Sequence, residues 1–174
     1  MYNFDADIRK VPNFPKPGIL FYDITSIIES PAAFAAIQEE LDKWISPKNY
    51  DALLGVESRG FLFASVAAYR HKKPLYLARK PGKLPNPTKS RAYDLEYGSA
   101  SLEIQKVDLK KGGRWLVIDD LIATGGTLEA TCGLIEEGGV KVAGVFAMVG
   151  LPFLGYEARL ANYSVHTLVQ YHSE

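Results

Sequence analysis

Apolar positions along the chain follow two alternating patterns. Short continuous runs occur in DALLGVE (51–57), PLYLARK (74–80), RWLVIDD (114–120), VKVAGVFAMVGL (140–151) and SVHTLVQY (164–171). Runs of this length, flanked by turn residues, predict buried strands. Helical spacing separates them in PAAFAAIQEELDKWI (31–45), RGFLFASVAAYRH (59–71) and TLEATCGLIEEGG (127–139). In the first, Phe34, Ile37, Leu41, Trp44 and Ile45 share one face, with Ser30 placed as N-cap and Pro31 at the first helical position. In the third, Gly138 and Gly139 predict a C-cap. SLEIQK (101–106) has the alternation of a half-exposed strand. Strand and helix in alternation predict an α/β fold, with a mostly parallel central sheet covered by helices on both faces.

One segment fits neither pattern. Over residues 81–98 no period holds, and Pro81, Pro85 and Pro87 interrupt regular structure, so the segment reads as a long functional loop, a lid. Arg79, Lys80, Lys83, Lys89 and Arg91 precede its first acid, Asp94. That order suits closure over a small anionic substrate; it also suits a solvated loop.

The 174 residues suit one domain with a full core, and no internal repeat or low-complexity segment divides them. A formal net charge of zero argues against broad nucleic-acid or anionic-membrane binding. No apolar run approaches the roughly 20 residues of a membrane span. The single cysteine, Cys132, excludes an internal disulfide. With an N-terminal stretch that does not read as a secretory leader, these features predict a cytoplasmic location. Cys132 falls on the apolar face of its helix with Leu128 and Ile135. His71, His166 and His172 lack ligand spacing, and Trp44 and Trp115 read as packing residues.

Candidate chemistry concentrates in WLVIDDLIATGGTLEA (115–130). A buried strand ends in Asp119 and Asp120, and a small-residue loop, Ala123-Thr124-Gly125-Gly126-Thr127, then opens a helix. Ligands of parallel sheets bind beyond the carboxyl ends of the strands, and a helix N-terminus offers unpaired N–H groups to an anion. The loop is neither a Walker A sequence nor a Gly-x-Gly-x-x-Gly turn. Carboxylates do not bind phosphate, so the pair must face hydroxyls or a metal. A phosphate cradle beside hydroxyl acceptors describes a ribose 5-phosphate.

VIDDLIATGGT (117–127) resembles the phosphoribosyl pyrophosphate (PRPP) motif of the type I phosphoribosyltransferases. FPKPGILFYDIT (14–25), VESRGFLFA (56–64), ARKPGKLP (78–85) and YDLEYGSASLEIQ (93–105) resemble blocks of the adenine-specific branch, in order and spacing. The resemblance covers nearly the whole chain. It implies the type I fold as a single domain over 1–174, with a small N-terminal hood over about residues 1–30 and a flexible lid over about 81–100. It implies transfer of phosphoribose from PRPP to adenine, giving AMP and pyrophosphate, with magnesium (Mg²⁺) held mostly by PRPP and a homodimeric assembly.

The roles it implies are specific. Asp119 and Asp120 accept hydrogen bonds from the ribose hydroxyls, and Ala123, Thr124, Gly125, Gly126 and Thr127 hold the 5-phosphate. Ser58, Arg59, Arg79, Lys80 and Lys83 surround the pyrophosphate, with a cis peptide at Glu57–Ser58. Main-chain groups of Leu20 and Tyr22 read the adenine edge, between apolar walls from Phe21 and Leu121. Glu96 is the acid/base, and Arg59 is catalytic with it. Two positions depart from the family: Tyr22 stands where many relatives have Arg, and Pro81 where many have a basic residue. The alternatives are another purine phosphoribosyltransferase, or a non-catalytic PRPP- or purine-sensing regulator on the same fold.

Overall fold

The computed structural model describes residues 2–94 and 99–173. Among these residues nine strands are present: β1 (Arg9–Pro12), β2 (Leu20–Asp23), β3 (Ala52–Val56), β4 (Leu75–Ala78), β5 (Thr88–Asp94), β6 (Ser99–Gln105), β7 (Arg114–Ile122), β8 (Lys141–Gly150) and β9 (Val165–Gln170). The α-helices are α1 (Thr25–Glu29), α2 (Pro31–Ile45), α3 (Gly60–His71), α4 (Lys106–Leu109), α5 (Gly126–Glu137) and α6 (Tyr156–Arg159). Ser30 caps α2 as expected, its Oγ accepting from Ala33 N–H at 3.3 Å. Gly138 and Gly139 close α5, with Val140 N–H returning to the Ile135 carbonyl at 3.1 Å.

The central sheet has the order β4-β3-β7-β8-β9, with every pairing parallel. Numbered by chain order among the five strands, this reads 2-1-3-4-5, so the winding reverses between β3 and β7. A crevice opens at such a reversal, beyond the carboxyl ends of the strands.

Neighbouring residues on each strand serve opposite cores. Leu53, Leu116, Ile118 and Phe146 pack with Ile37 and Leu41 of α2 and with Phe63 and Ala67 of α3. Leu54, Trp115, Val117 and Ala147 pack on the other side with Leu128, Cys132 and Ile135 of α5. The period of two therefore explains why these runs are apolar throughout: both faces are covered. Burial pushes the Cys132 thiol up to about 12, in keeping with a packing role.

The structure corrects the reading of residues 81–98 as a loop without regular structure. Thr88–Asp94 is a strand, paired antiparallel with β6 from Thr88↔Gln105 to Asp94↔Ser99. Leu102 and Ile104 of β6 belong to the α5-side core, so a hairpin as well as helices covers that face. The charges of β5 also go elsewhere than expected. Lys89 donates to the Glu137 carbonyl at 2.8 Å, and Arg91 reaches the Glu137 carboxylate at 2.9 Å. Cations are favoured at a helix C-terminus, where carbonyls lack partners. Arg91 lies across α5 at Gly133, where a Cβ would meet its Nη1 at 2.0 Å. These two cations anchor the hairpin to α5.

Candidate active site

β3 stops early, and that exposes the acidic pair. Its ladder with β7 ends at Gly55↔Ile118, whereas β7 and β8 stay paired to Ile122↔Gly150. Asp119 and Asp120 are thus the sixth and seventh of the nine residues of β7, which runs two residues past the end expected from the sequence, and they lie beside the space that β3 vacates. The chain leaves β3 through Glu57, Ser58 and Arg59, then enters α3 at Gly60. The Glu57–Ser58 peptide is cis, at the bond the resemblance indicated. A Cβ on Gly60 would lie 2.7 Å from the Ile118 carbonyl oxygen and 3.1 Å from Asp119 Oδ1, so glycine alone lets α3 begin against β7.

This contact sets Arg59 beside the acids. Arg59 Nε donates to Asp120 Oδ2 at 2.5 Å, and Asp119 Oδ1 accepts from Asp120 N–H at 2.8 Å. Both carboxylates are 6% exposed. Burial first, and the Asp120 charge second, raise the Asp119 carboxyl well above the usual carboxylate range; Arg59 and the Asp120 N–H oppose them only in part. The site holds a carboxyl whose ionised form calls for further hydrogen-bond donors.

The following loop is shaped for close approach. Gly125 has φ +81°, and a Cβ there would lie 3.0 Å from Tyr156 Cβ, so backbone conformation and space both require glycine. No side chain caps α5 at Gly125. The first-turn N–H groups of this 12-residue helix therefore receive no bond from the N-cap residue and are of the kind that can take an anion, with Thr124 and Thr127 half-buried beside them.

A cavity of about 250 Å³ adjoins this loop. It gathers Leu20, Phe21, Tyr22, Arg59, Leu121 and Ala123, which lie far apart in the chain. Its remaining wall is Leu151, Phe153 and Leu154, with Ile19 and Pro15 at the hood. The sequence reading missed this wall. The signal available was the apolar PFL (152–154) just beyond the β8 run. Phe14 packs edge-on against Phe21 at 5.0 Å between ring centroids.

The other expected cations are placed differently. Arg79 donates through Nε to Glu57 at 3.1 Å and through Nη1 to the Lys83 carbonyl at 3.0 Å. Lys80 N–H also reaches Glu57, at 2.9 Å. Burial would raise the Glu57 carboxyl, but the Lys80 N–H and Arg79 outweigh it and hold it below the usual range. Arg79 therefore braces the Glu57–Arg59 loop. Ser58, Lys80 and Lys83 have exposed side chains. Glu96 lies outside the described residues.

A family model for the phosphoribosyl transferase domain matches residues 23–159. An adenine phosphoribosyltransferase of Treponema denticola is 52% identical over 170 residues, covering 98% of this chain and 90% of the relative. The chain belongs to the adenine phosphoribosyltransferases. Solved structures of the family agree in fold. The enzyme from Thermoanaerobacter pseudethanolicus superimposes with a TM-score of 0.92 at 40% identity, over 97% of this chain and 98% of that one. The Giardia lamblia adenine phosphoribosyltransferase, solved with 9-deazaadenine, gives 0.90 at 30% identity, over 98% and 97%. Within the adenine phosphoribosyltransferase frame, the departure at Tyr22 has a structural counterpart. Its ring is 4% exposed and stacks on Tyr171, with centroids 3.9 Å apart and planes 14° from parallel.

Proposed function

We propose that this chain transfers the 5-phosphoribosyl group of PRPP to N9 of adenine, releasing pyrophosphate and forming AMP for purine salvage. One juxtaposition carries the reading: two buried adjacent carboxylates, an uncapped helix N-terminus and an apolar cavity meet at the reversal of one parallel sheet. The sugar's hydroxyls donate to Asp119 and Asp120, and the N–H groups of Ala123 to Thr127 take the 5-phosphate. The carboxylates then face the anomeric carbon as it gains positive charge, where fixed negative charge lowers the barrier. Ser58, Arg59, Lys80 and Lys83 receive the departing pyrophosphate, and Arg79 holds their loop through Glu57. Adenine lies in the cavity against Phe21 and Leu121, read by main-chain groups of Leu20 and Tyr22. Leaving the wrong polar edge unpaired there would reject a keto purine.

Glu96 moves the proton at the imidazole edge of the base. Glu96→Ala is expected to keep PRPP binding and lose turnover, read by calorimetry and single-turnover assay; surviving turnover removes the role.

Among the described residues no group of three or more His, Cys, Asp or Glu side chains could hold a metal. The ion is proposed to be carried by substrate oxygens, since Mg²⁺ is commonly bound through phosphates and retained waters. Magnesium supplies charge neutralisation on the pyrophosphate.

A homodimer is the proposed assembly. Leu62 and Tyr69, seven residues apart on α3, are 42% and 85% exposed and offer an apolar stripe to a second copy. Light scattering at the monomer mass would refute this. A cytoplasmic location accords with one unpaired, buried thiol. No described helix is long and apolar enough to cross a membrane. The partners proposed are small molecules, without nucleic acid or membrane.

The deciding assay incubates the protein with PRPP, Mg²⁺ and each purine base in turn. AMP from adenine is expected, and little product from hypoxanthine or guanine. No AMP, or faster use of hypoxanthine, overturns the reading.

A further inference from the structure

The base cavity is built from two separate parts of the fold. One wall is β2, which pairs only with β1 in a two-stranded sheet. The other is the 151–154 segment, which leaves β8 at the end of the central sheet. A two-stranded hairpin is marginal alone, so the distance between the walls depends on what ties β2 to the sheet.

Tyr171 makes one such tie, beside the packing of Tyr22, Ile24 and Ile27 into the core on the α2–α3 side. Its N–H donates to the Gly150 carbonyl at 3.1 Å, one residue beyond β9, so its backbone is registered to the end of β8. Its ring stacks on Tyr22 of β2. Its hydroxyl donates to Asp5 at 2.5 Å, and Asp5 pairs with Lys10 of β1 at 2.8 Å. Lys10 also lies 5.3 Å above the Tyr171 ring, and it is the residue opposite Tyr22 in the hairpin register. Both hairpin strands and the N-terminal turn thus converge on one ring whose backbone belongs to the sheet.

We infer that Tyr171 is a positioning residue for base recognition, a strut that sets the gap between β2 and the Gly150–Leu154 wall. The inference rests on the reading of the cavity as the base site. It assigns a role to the chain beyond β9, and it gives the aromatic side chain at Tyr22 a partner.

The test compares Tyr171→Leu and Tyr171→Phe with the wild type. KM for adenine, KM for PRPP, kcat and Tm are measured for each. Leucine keeps the bulk and loses the stack. It is expected to raise KM for adenine about tenfold, with KM for PRPP held within about twofold, because only the base wall is displaced. Phenylalanine keeps the stack and is expected to restore most of the loss. An unchanged KM for adenine in the leucine variant, equal rises in both KM values, or a phenylalanine variant no better than leucine would overturn the role. Should the leucine variant not fold, Asp5→Lys sets a like charge against Lys10 at the surface and pushes the hairpin away from the ring, which loss of the hydroxyl alone does not do. A rise in KM for adenine alone supports the strut, and no change overturns it. Adenine titration by calorimetry gives the same comparison without turnover, so failure of the strut is separable from failure of the proposed reaction.

Discussion

Gly60→Ala gives the sharpest test of how the acidic pair is assembled. The added methyl would lie 2.7 Å from the Ile118 carbonyl oxygen, 3.0 Å from Asp119 Cα and 3.1 Å from Asp119 Oδ1. The two closest of these atoms are backbone of β7, which is paired on both sides up to this level and cannot yield. Ordinary contact begins near 3.4 Å, so the start of α3 must retreat by 3.4 − 2.7 = 0.7 Å. Arg59 directly precedes Gly60 and moves with it. A 0.7 Å retreat lengthens its 2.5 Å bond to Asp120 to 2.5 + 0.7 = 3.2 Å. Two effects oppose each other in stability. Overpacking costs about 1–3 kcal/mol, whereas alanine gains up to about 1 kcal/mol over glycine as a helix residue. Activity has no such offset. Displacing a reacting geometry by about 1 Å can cost about 100-fold, so a 0.7 Å shift is expected to lower kcat/KM about 10- to 100-fold. Steady-state kinetics beside a thermal melt reads both. The control is Gly139→Ala, whose Cβ would meet nothing within 4 Å and whose φ of +81° disfavours a side chain. It should cost about 1–2 kcal/mol of stability and leave kcat/KM within about twofold. A Gly60→Ala enzyme with wild-type kcat/KM would refute the argument that this close approach positions Arg59 and the acids.

Asp119→Asn should lower kcat/KM while raising Tm at neutral pH. Burial and the Asp120 charge raise the Asp119 proton affinity above its value of 3.8 in the unfolded chain, so its ionisation destabilises the fold. The cost is absent below that value and grows as pH rises through the raised one; the gain in Tm should therefore vanish near pH 4 or below, and a gain independent of pH would contradict the cause. Gln38→Leu should raise Tm by about 2–4 °C, equivalent to about 1 kcal/mol. Gln38 is 1% exposed, and neither amide atom has a partner among the described residues; a lower Tm would show that the amide is satisfied in solution.

The sequence by itself determined the five strands of the central sheet, the three long helices and the pattern of the candidate phosphate loop. Leu53 and Leu54 are both apolar because both faces of their strand are covered. Ser30 with Pro31 announced α2, and the acids followed by a glycine loop announced the site. These are local signals, set by the backbone's own periodicity and capping needs. The resemblance to a known family supplied the donor and acceptor, which no local pattern carries. Only the tertiary structure decided which partners distant residues find. Thr88–Asp94 has no apolar alternation and is a strand because β6 and Glu137 stabilise it from outside. Lys89 and Arg91 suited either an anionic substrate or solvent until a helix C-terminus, 46 to 48 residues on, claimed them. Arg79 turned to Glu57, and Tyr22 met Tyr171 from the far end of the chain. Charge and shape in a sequence state what a side chain can bind; the fold decides which of the possible partners lies within reach.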